Sequence, residues 1–489
     1  MFIPQNILKI LYIKKRVLYN LYIMKKLLLV SFAASVGCSL FADIEAGTYE
    51  NMNVFDAKFA SPAGSATWVF DNTVFENPIS LEWQADSADS EYLVKYGATS
   101  ATFTKFLISR DGANSSTVFE MQGTSDKRAV LSENTFSDSS WNMAIESSKN
   151  YNSNSTNELR LWGYSDFSVS HFKIASDAGY NSGNAGVVIS GAGNTFTSEY
   201  NCYINTTAAN ADSTNRLYFN ISGEEGAKSV ANFKKDFNVR AAGSGLTEIN
   251  MQGNAEMTVD GTFAFGSDET ISTGKAVFTI SGQNNSLITT KTGGNYFLLA
   301  SDAKGGDISF KIAGKNNTLS VANTTAWIGS AKTGNANVVF EIEGSGHSIN
   351  FGGNLNFRAQ NGNSVKLGFV ADESGLSTLN AGGLTLFDGI LSIDMENFAG
   401  DESGVYEATL ISANNNWSGL ASSLISSSDN ASEKVNVIMG DNGVSWNLSY
   451  SDGDLVFVYN YTPEIPEPST CAAIFGALAL AFAAYRRRK

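Results

Sequence analysis

A short strand-like motif ending in glycine recurs through this chain, and it constrains the fold more than any other feature. The copies are Phe119-Glu120-Met121-Gln122-Gly123, Leu159-Arg160-Leu161-Trp162-Gly163, Val187-Val188-Ile189-Ser190-Gly191, Phe219-Asn220-Ile221-Ser222-Gly223, Ile249-Asn250-Met251-Gln252-Gly253, Phe278-Thr279-Ile280-Ser281-Gly282, Phe310-Lys311-Ile312-Ala313-Gly314 and Phe340-Glu341-Ile342-Glu343-Gly344. Successive glycines are 40, 28, 32, 30, 29, 32 and 30 residues apart. Positions two and four before the glycine are apolar in all eight copies, and the position between them is polar in seven, Val188 being the exception. That is period-two patterning with one face buried. Leu367-Gly368-Phe369-Val370-Ala371 reads as a degenerate ninth copy.

Each unit carries two further strands. A second apolar pair follows the glycine, as in Phe167/Val169, Met257/Val259, Leu319/Val321 and Ile349/Phe351. A third appears in Phe172-Lys173-Ile174, Phe237-Asn238-Val239, Phe263-Ala264-Phe265 and Phe297-Leu298-Leu299, and Cys202-Tyr203-Ile204 falls in this slot with Cys202 inward. Three short strands per roughly 30-residue turn predict an all-β fold, a parallel β-solenoid over 91–383. Proline usage agrees, because none occurs between Pro78 and Pro463 and a solenoid strand needs its N–H in the ladder. A propeller needs longer repeats, and a β-sandwich would not hold this period for so long. Eight to ten coils would make a rod of roughly 40–50 Å at about 4.8 Å per strand. Open ends expose strand edges and need covering. Residues 43–90, with Trp68, Phe70, Phe75 and Trp83, are expected to form an N-terminal β cap, and 384–462 a small antiparallel β cap.

The two ends read as addresses. Met24-Lys25-Lys26-Leu27-Leu28-Leu29-Val30 opens a secretory signal peptide over 24–42, with cleavage between Ala42 and Asp43 and delivery through the secretion translocon. Residues 1–23 precede this complete signal and read as a mis-called start, within a leader of 1–42. At the other end, residues 463–489 contain Pro466-Glu467-Pro468, an uncharged apolar run over 470–485, and Arg486-Arg487-Arg488-Lys489. As a helix, 470–485 would span roughly 24 Å, at the short limit for a transmembrane helix, with the cation cluster stopping on the cytoplasmic side. Pro463, Pro466 and Pro468 make a stiff spacer before it.

This tripartite ending resembles the PEP-CTERM sorting signal. The resemblance implies export across the inner membrane and anchoring by the terminal helix. It further implies processing near Pro466–Pro468 by an exosortase-like membrane enzyme, then residence at the cell surface or in the extracellular matrix, in an envelope with an outer membrane and often an exopolysaccharide matrix. The Gly-rich repetitive body is similar to passenger-like β-helical proteins with autotransporter-associated strand repeats.

Composition narrows the functions. Without the leader and tail the chain holds 23 basic and 46 acidic residues, a net charge of −23. Such acidity argues against nucleic-acid binding, which needs clustered cations. Only Cys202 remains in the body, so no internal disulfide can form. His171 and His347 lie far apart and outside any metal-ligand spacing, and no cofactor motif is present. A polysaccharide lyase or hydrolase would need converging carboxylates on one outward sheet. The outward positions of the first strand (Glu120, Arg160, Val188, Asn220, Asn250, Thr279, Lys311, Glu341) show no acidic cluster, Glu120 and Glu341 being near opposite ends. Asp177, Asp268 and Asp302 recur after the third strand, as turn formers or as a weak cation edge. The expectation is therefore a non-catalytic surface or matrix protein, structural or adhesive, with surface polysaccharide as a candidate partner. The alternative is a polysaccharide-binding or polysaccharide-degrading β-helix.

Overall fold

A computed structural model describes residues 44–462, apart from 55–58, 60–63, 86–89, 111–114, 139–142, 149–154, 177–182, 207–215, 241–244, 267–273, 401–402 and 416, and describes 476–481, 483, 485 and 486 of the tail. The body is an all-β parallel solenoid of about 10 turns at about 30 residues per coil. These turns place strands on three faces, and the first face gains further rungs beyond them at both ends. The first face is a ladder of 14 strands, parallel throughout, from Gly47–Glu50 to Val435–Ile438. The glycine-ending motifs are its central rungs, and their apolar pairs stack in register: Phe278 opposite Phe310, and Phe310 opposite Phe340.

The second and third faces are parallel ladders of the shorter strands, for example Ser165–Val169 on Thr195–Ser198, and Phe172–Ser176 on Cys202–Thr206. Ser100–Arg110, Ser348–Phe357 and Leu379–Phe387 are long enough to serve both ladders. Inward side chains of all three faces meet along the axis in one apolar column. Its phenylalanines stack coil on coil, with Phe263–Phe297 centroids 4.9 Å apart and Phe310–Phe340 5.2 Å apart. Such pairs add to the area they bury. Cys202 is fully buried in this column, as its slot in the repeat implied.

The recurrent glycine makes the corner between the first and second faces. Gly314 has φ +94°, and a Cβ there would lie 2.0 Å from the Gly282 carbonyl oxygen in the coil before. Stacked corners leave room only for hydrogen at that point.

The parallel ladder runs past residue 91 at one end and past 383 at the other. Gly47–Glu50 and Ala66–Asp71 pair in parallel with each other and with Glu91–Tyr96. Trp68 and Phe70 point inward and are fully buried, so they continue the core although their strand lacks the motif's glycine. Ile390–Asp394 and Val435–Ile438 add the last two rungs of the first face. On the second face pairing turns antiparallel at Val405–Ala413, against Asp454–Tyr461, which pairs in turn with Gly443–Ser451. This meander covers one open end, with the single-turn helix Ser418–Ala421 beside it.

Candidate functional site

Register converts the first strand's outward positions into one column: Lys95, Glu120, Arg160, Val188, Asn220, Asn250, Thr279, Lys311 and Glu341. A parallel column two residues upstream holds Glu158, Gly186, Tyr218 and Glu248. The two columns meet at Arg160. Its Nη1 lies 2.9 Å from Glu120 Oε1, and its Nε donates to Glu158 Oε2. The Tyr218 hydroxyl, two coils away, donates to Glu158 Oε1. Gly186 lies between them in the column, and a Cβ there would sit 2.5 Å from the Tyr218 ring, so only glycine lets the tyrosine reach across. Arg216 pairs with Glu248 and sits 5.2 Å above the Tyr218 ring.

These contacts decide what the cluster can do. Burial, then the charge and hydrogen bond of Glu158, push the Tyr218 phenol far up, so it stays protonated and acts as a donor. Burial works against the charge on Arg160, but Glu158 and Glu120 hold its pKa above the ordinary value. Both carboxylates are thus committed to a permanent cation, and Glu158 to a phenol as well. A hydrolytic pair needs one carboxyl able to give a proton and one free to attack or activate water. Glu120, Glu158, Arg160 and Tyr218 instead form a clasp over four coils. Lys311 plays the same part further along, 3.1 Å from Glu341 and also paired with Glu343. The Glu120–Glu158 convergence is invisible in the sequence because it joins different columns of different coils.

Beside this clasp, at the corner between first and second faces, two adjoining hollows of about 490 and 540 Å³ share Gln122, Gly123, Thr124 and Trp162. Trp162 is an outward residue in register with Ser190, and its ring is half-buried in the floor. Tyr164, at φ +48°, lines the second hollow with its ring against Gly193. The Arg128 guanidinium braces this stretch, 2.6 Å from both Asp166 Oδ1 and the Gly193 carbonyl. Exposed Glu50, Asp71 and Lys95 line one end and Glu224 the other.

Under the same corner runs an internal ladder of buried polar side chains. Asn194, Asn285, Asn317 and His347 each stand three residues after a motif glycine. The Asn317 carbonyl accepts from the Asn285 backbone at 3.0 Å and its amide at 2.9 Å, while the Asn317 N–H donates to His347 Nδ1 at 3.2 Å. His347 Nε2 lies 2.8 Å from the Glu343 carbonyl. With Nδ1 accepting, Nε2 carries the proton, so the ring is neutral. Burial lowers its pKa against the opposing pull of Glu343 and Asp372. His171 is buried on another corner, 2.9 Å from the Asp138 carbonyl and stacked on Tyr200. The two histidines are not brought together.

Asp302 pairs with Lys332 at 3.7 Å, while Asp177 and Asp268 lie outside the described residues. No group of three or more His, Cys, Asp or Glu able to hold a metal occurs among the described residues. Of the terminal sites, Ala42, Asp43, Pro466, Glu467, Pro468, Arg487, Arg488 and Lys489 also lie outside them, and Arg486 is exposed. The expected transmembrane helix 470–485 is described only in part: residues 476–481 are helical, with Leu478 and Leu480 exposed. No helix among the described residues is long and apolar enough to cross a membrane. No protein-family model matches the chain, and no curated protein or solved structure matches it either.

Proposed function

We infer that this chain is an exported, acidic, non-catalytic rod of the cell surface or extracellular matrix, delivered by its PEP-CTERM-like tail. The observation that carries the reading is the first face. Its central charges are consumed in clasps between coils, at Glu120–Arg160–Glu158–Tyr218 and at Glu341–Lys311–Glu343, and so serve stacking. The tail supports delivery by its order of Pro466-Glu467-Pro468, apolar segment and Arg486-Arg487-Arg488-Lys489. Exposed Leu478 and Leu480 would be buried if that segment continued through 470–485 into a bilayer. An exosortase-like enzyme would act at the Pro-Glu-Pro element, leaving the rod outside.

Deleting Pro466–Lys489 tests this reading. The truncated chain is expected to fold but to escape tail processing and to be lost from the surface fraction. Unchanged surface retention of the truncated protein would overturn the sorting role.

A further inference from the structure

Going beyond display, we propose that the corner groove centred on Trp162 binds a neutral polysaccharide chain laid across the coils. The ring itself is the first reason. Its partner in the column is Ser190, followed by Ser222, Gln252 and Ser281, so this edge of the sheet packs without an aromatic. The column's pattern therefore does not call for an aromatic at Trp162, and the ring offers an apolar surface in a hollow of mixed polar and apolar lining, which suits the C–H face of a pyranose. An apolar platform ringed by a few polar groups is the usual form of a small-ligand site.

Length is the second reason. The lining runs from Glu50, at the end of the strand Gly47–Glu50, to Glu224, just after Arg216–Ser222. That is six strand spacings, roughly 29 Å at about 4.8 Å each, long enough for several sugars in a row. The third reason is charge. Glu50, Asp71 and Glu224 are exposed along the groove, Lys95 is the one cation among its described lining residues, neighbouring Arg128 is paired with Asp166, and Glu120 is held by Arg160. Carboxylates accept from sugar hydroxyls and the Gln122 amide can donate or accept, while the carboxylate charge repels uronates and sulfate esters. An extended peptide is a poorer fit. The strands flanking the corner already pair with neighbours on both sides, which leaves no edge for a peptide to join.

The test is titration of the full-length chain with hexasaccharides, read by tryptophan fluorescence and calorimetry. The probes are a neutral glucan, a neutral mannan and a mannuronate of equal length. Binding of at least one neutral hexamer, and none of the mannuronate, is expected. Trp162→Ser copies its column neighbours and should keep the melting temperature while weakening binding at least tenfold. Trp162→Phe should stay within a few-fold of the parent, and Trp327→Ala, on the third face, should bind as the parent does. Failure of both neutral hexamers to bind, equal binding by Trp162→Ser, or preference for the mannuronate would each overturn the proposal. None of these results bears on the display role, which is read by tail deletion.

Discussion

At His347 a histidine occupies a place that asparagine fills in the two preceding coils, and this makes one corner sensitive to acid. Its Nδ1 must stay unprotonated to accept from Asn317, and its folded pKa is depressed below the ordinary value near 6.5. Between those two values the unfolded chain binds more protons than the native one, so stability falls as pH drops below about 6.5. The loss is complete once pH is below the folded value. His347→Asn keeps an acceptor for the Asn317 N–H and removes the titration. Melting curves from pH 7.5 to 4.5 should show a shallower decline for this variant than for the parent. The Tyr218–Glu158 bond makes a second prediction at this scale. Tyr218→Phe deletes a hydrogen bond to a buried carboxylate and is expected to cost about 1.5–3 kcal/mol in denaturant unfolding. Surface repertoire alone would leave that variant within about 0.5 kcal/mol of the parent.

Among the elements, the motif strands were the legible ones. Alternation at Phe310 and Ile312, a glycine at the corner and the 30-residue recurrence specify strand, face and turn together. The first coils were less legible, because Trp68 and Phe70 alternate correctly but Asn72, at φ +49°, stands where the motif has glycine. Strands Ile390–Asp394 and Val435–Ile438 carry no sign of whether they pair in parallel or antiparallel fashion, and only tertiary stacking decides it. The polar corner ladder did leave a signal, the Asn or His three residues after Gly191, Gly282, Gly314 and Gly344. The Trp162 groove left none beyond an aromatic at an outward position, because its walls come from residues as far apart as Glu50 and Glu224. Stacked side chains also set the size of a defect. Phe310 is fully buried between Phe278 and Phe340, so Phe310→Ala should cost about 3–5 kcal/mol. Hydrogen exchange should show the loosening concentrated in the adjoining coils, as nearest-neighbour stacking requires.

Taken whole, the molecule is a ladder with its charges turned outward. Fourteen rungs on the first face give a length of roughly 62 Å at about 4.8 Å per spacing. This exceeds the span expected from the repeat alone, because the strands in 47–71 and 390–438 add rungs beyond it. The net charge of −15 for the whole chain opposes association between rods. If coils are stacked units without a reaction centre distributed among them, one can be removed in register. Gln252 pairs with Ser281, so deleting Gln252–Ile280 excises one turn and rejoins equivalent positions. The measurement is thermal unfolding of that deletion variant, with its maximum dimension from small-angle scattering. A cooperative transition and a particle shorter by about one 4.8 Å spacing are the expected result. An unfolded or aggregated chain would contradict the account of this protein as a rod of interchangeable coils.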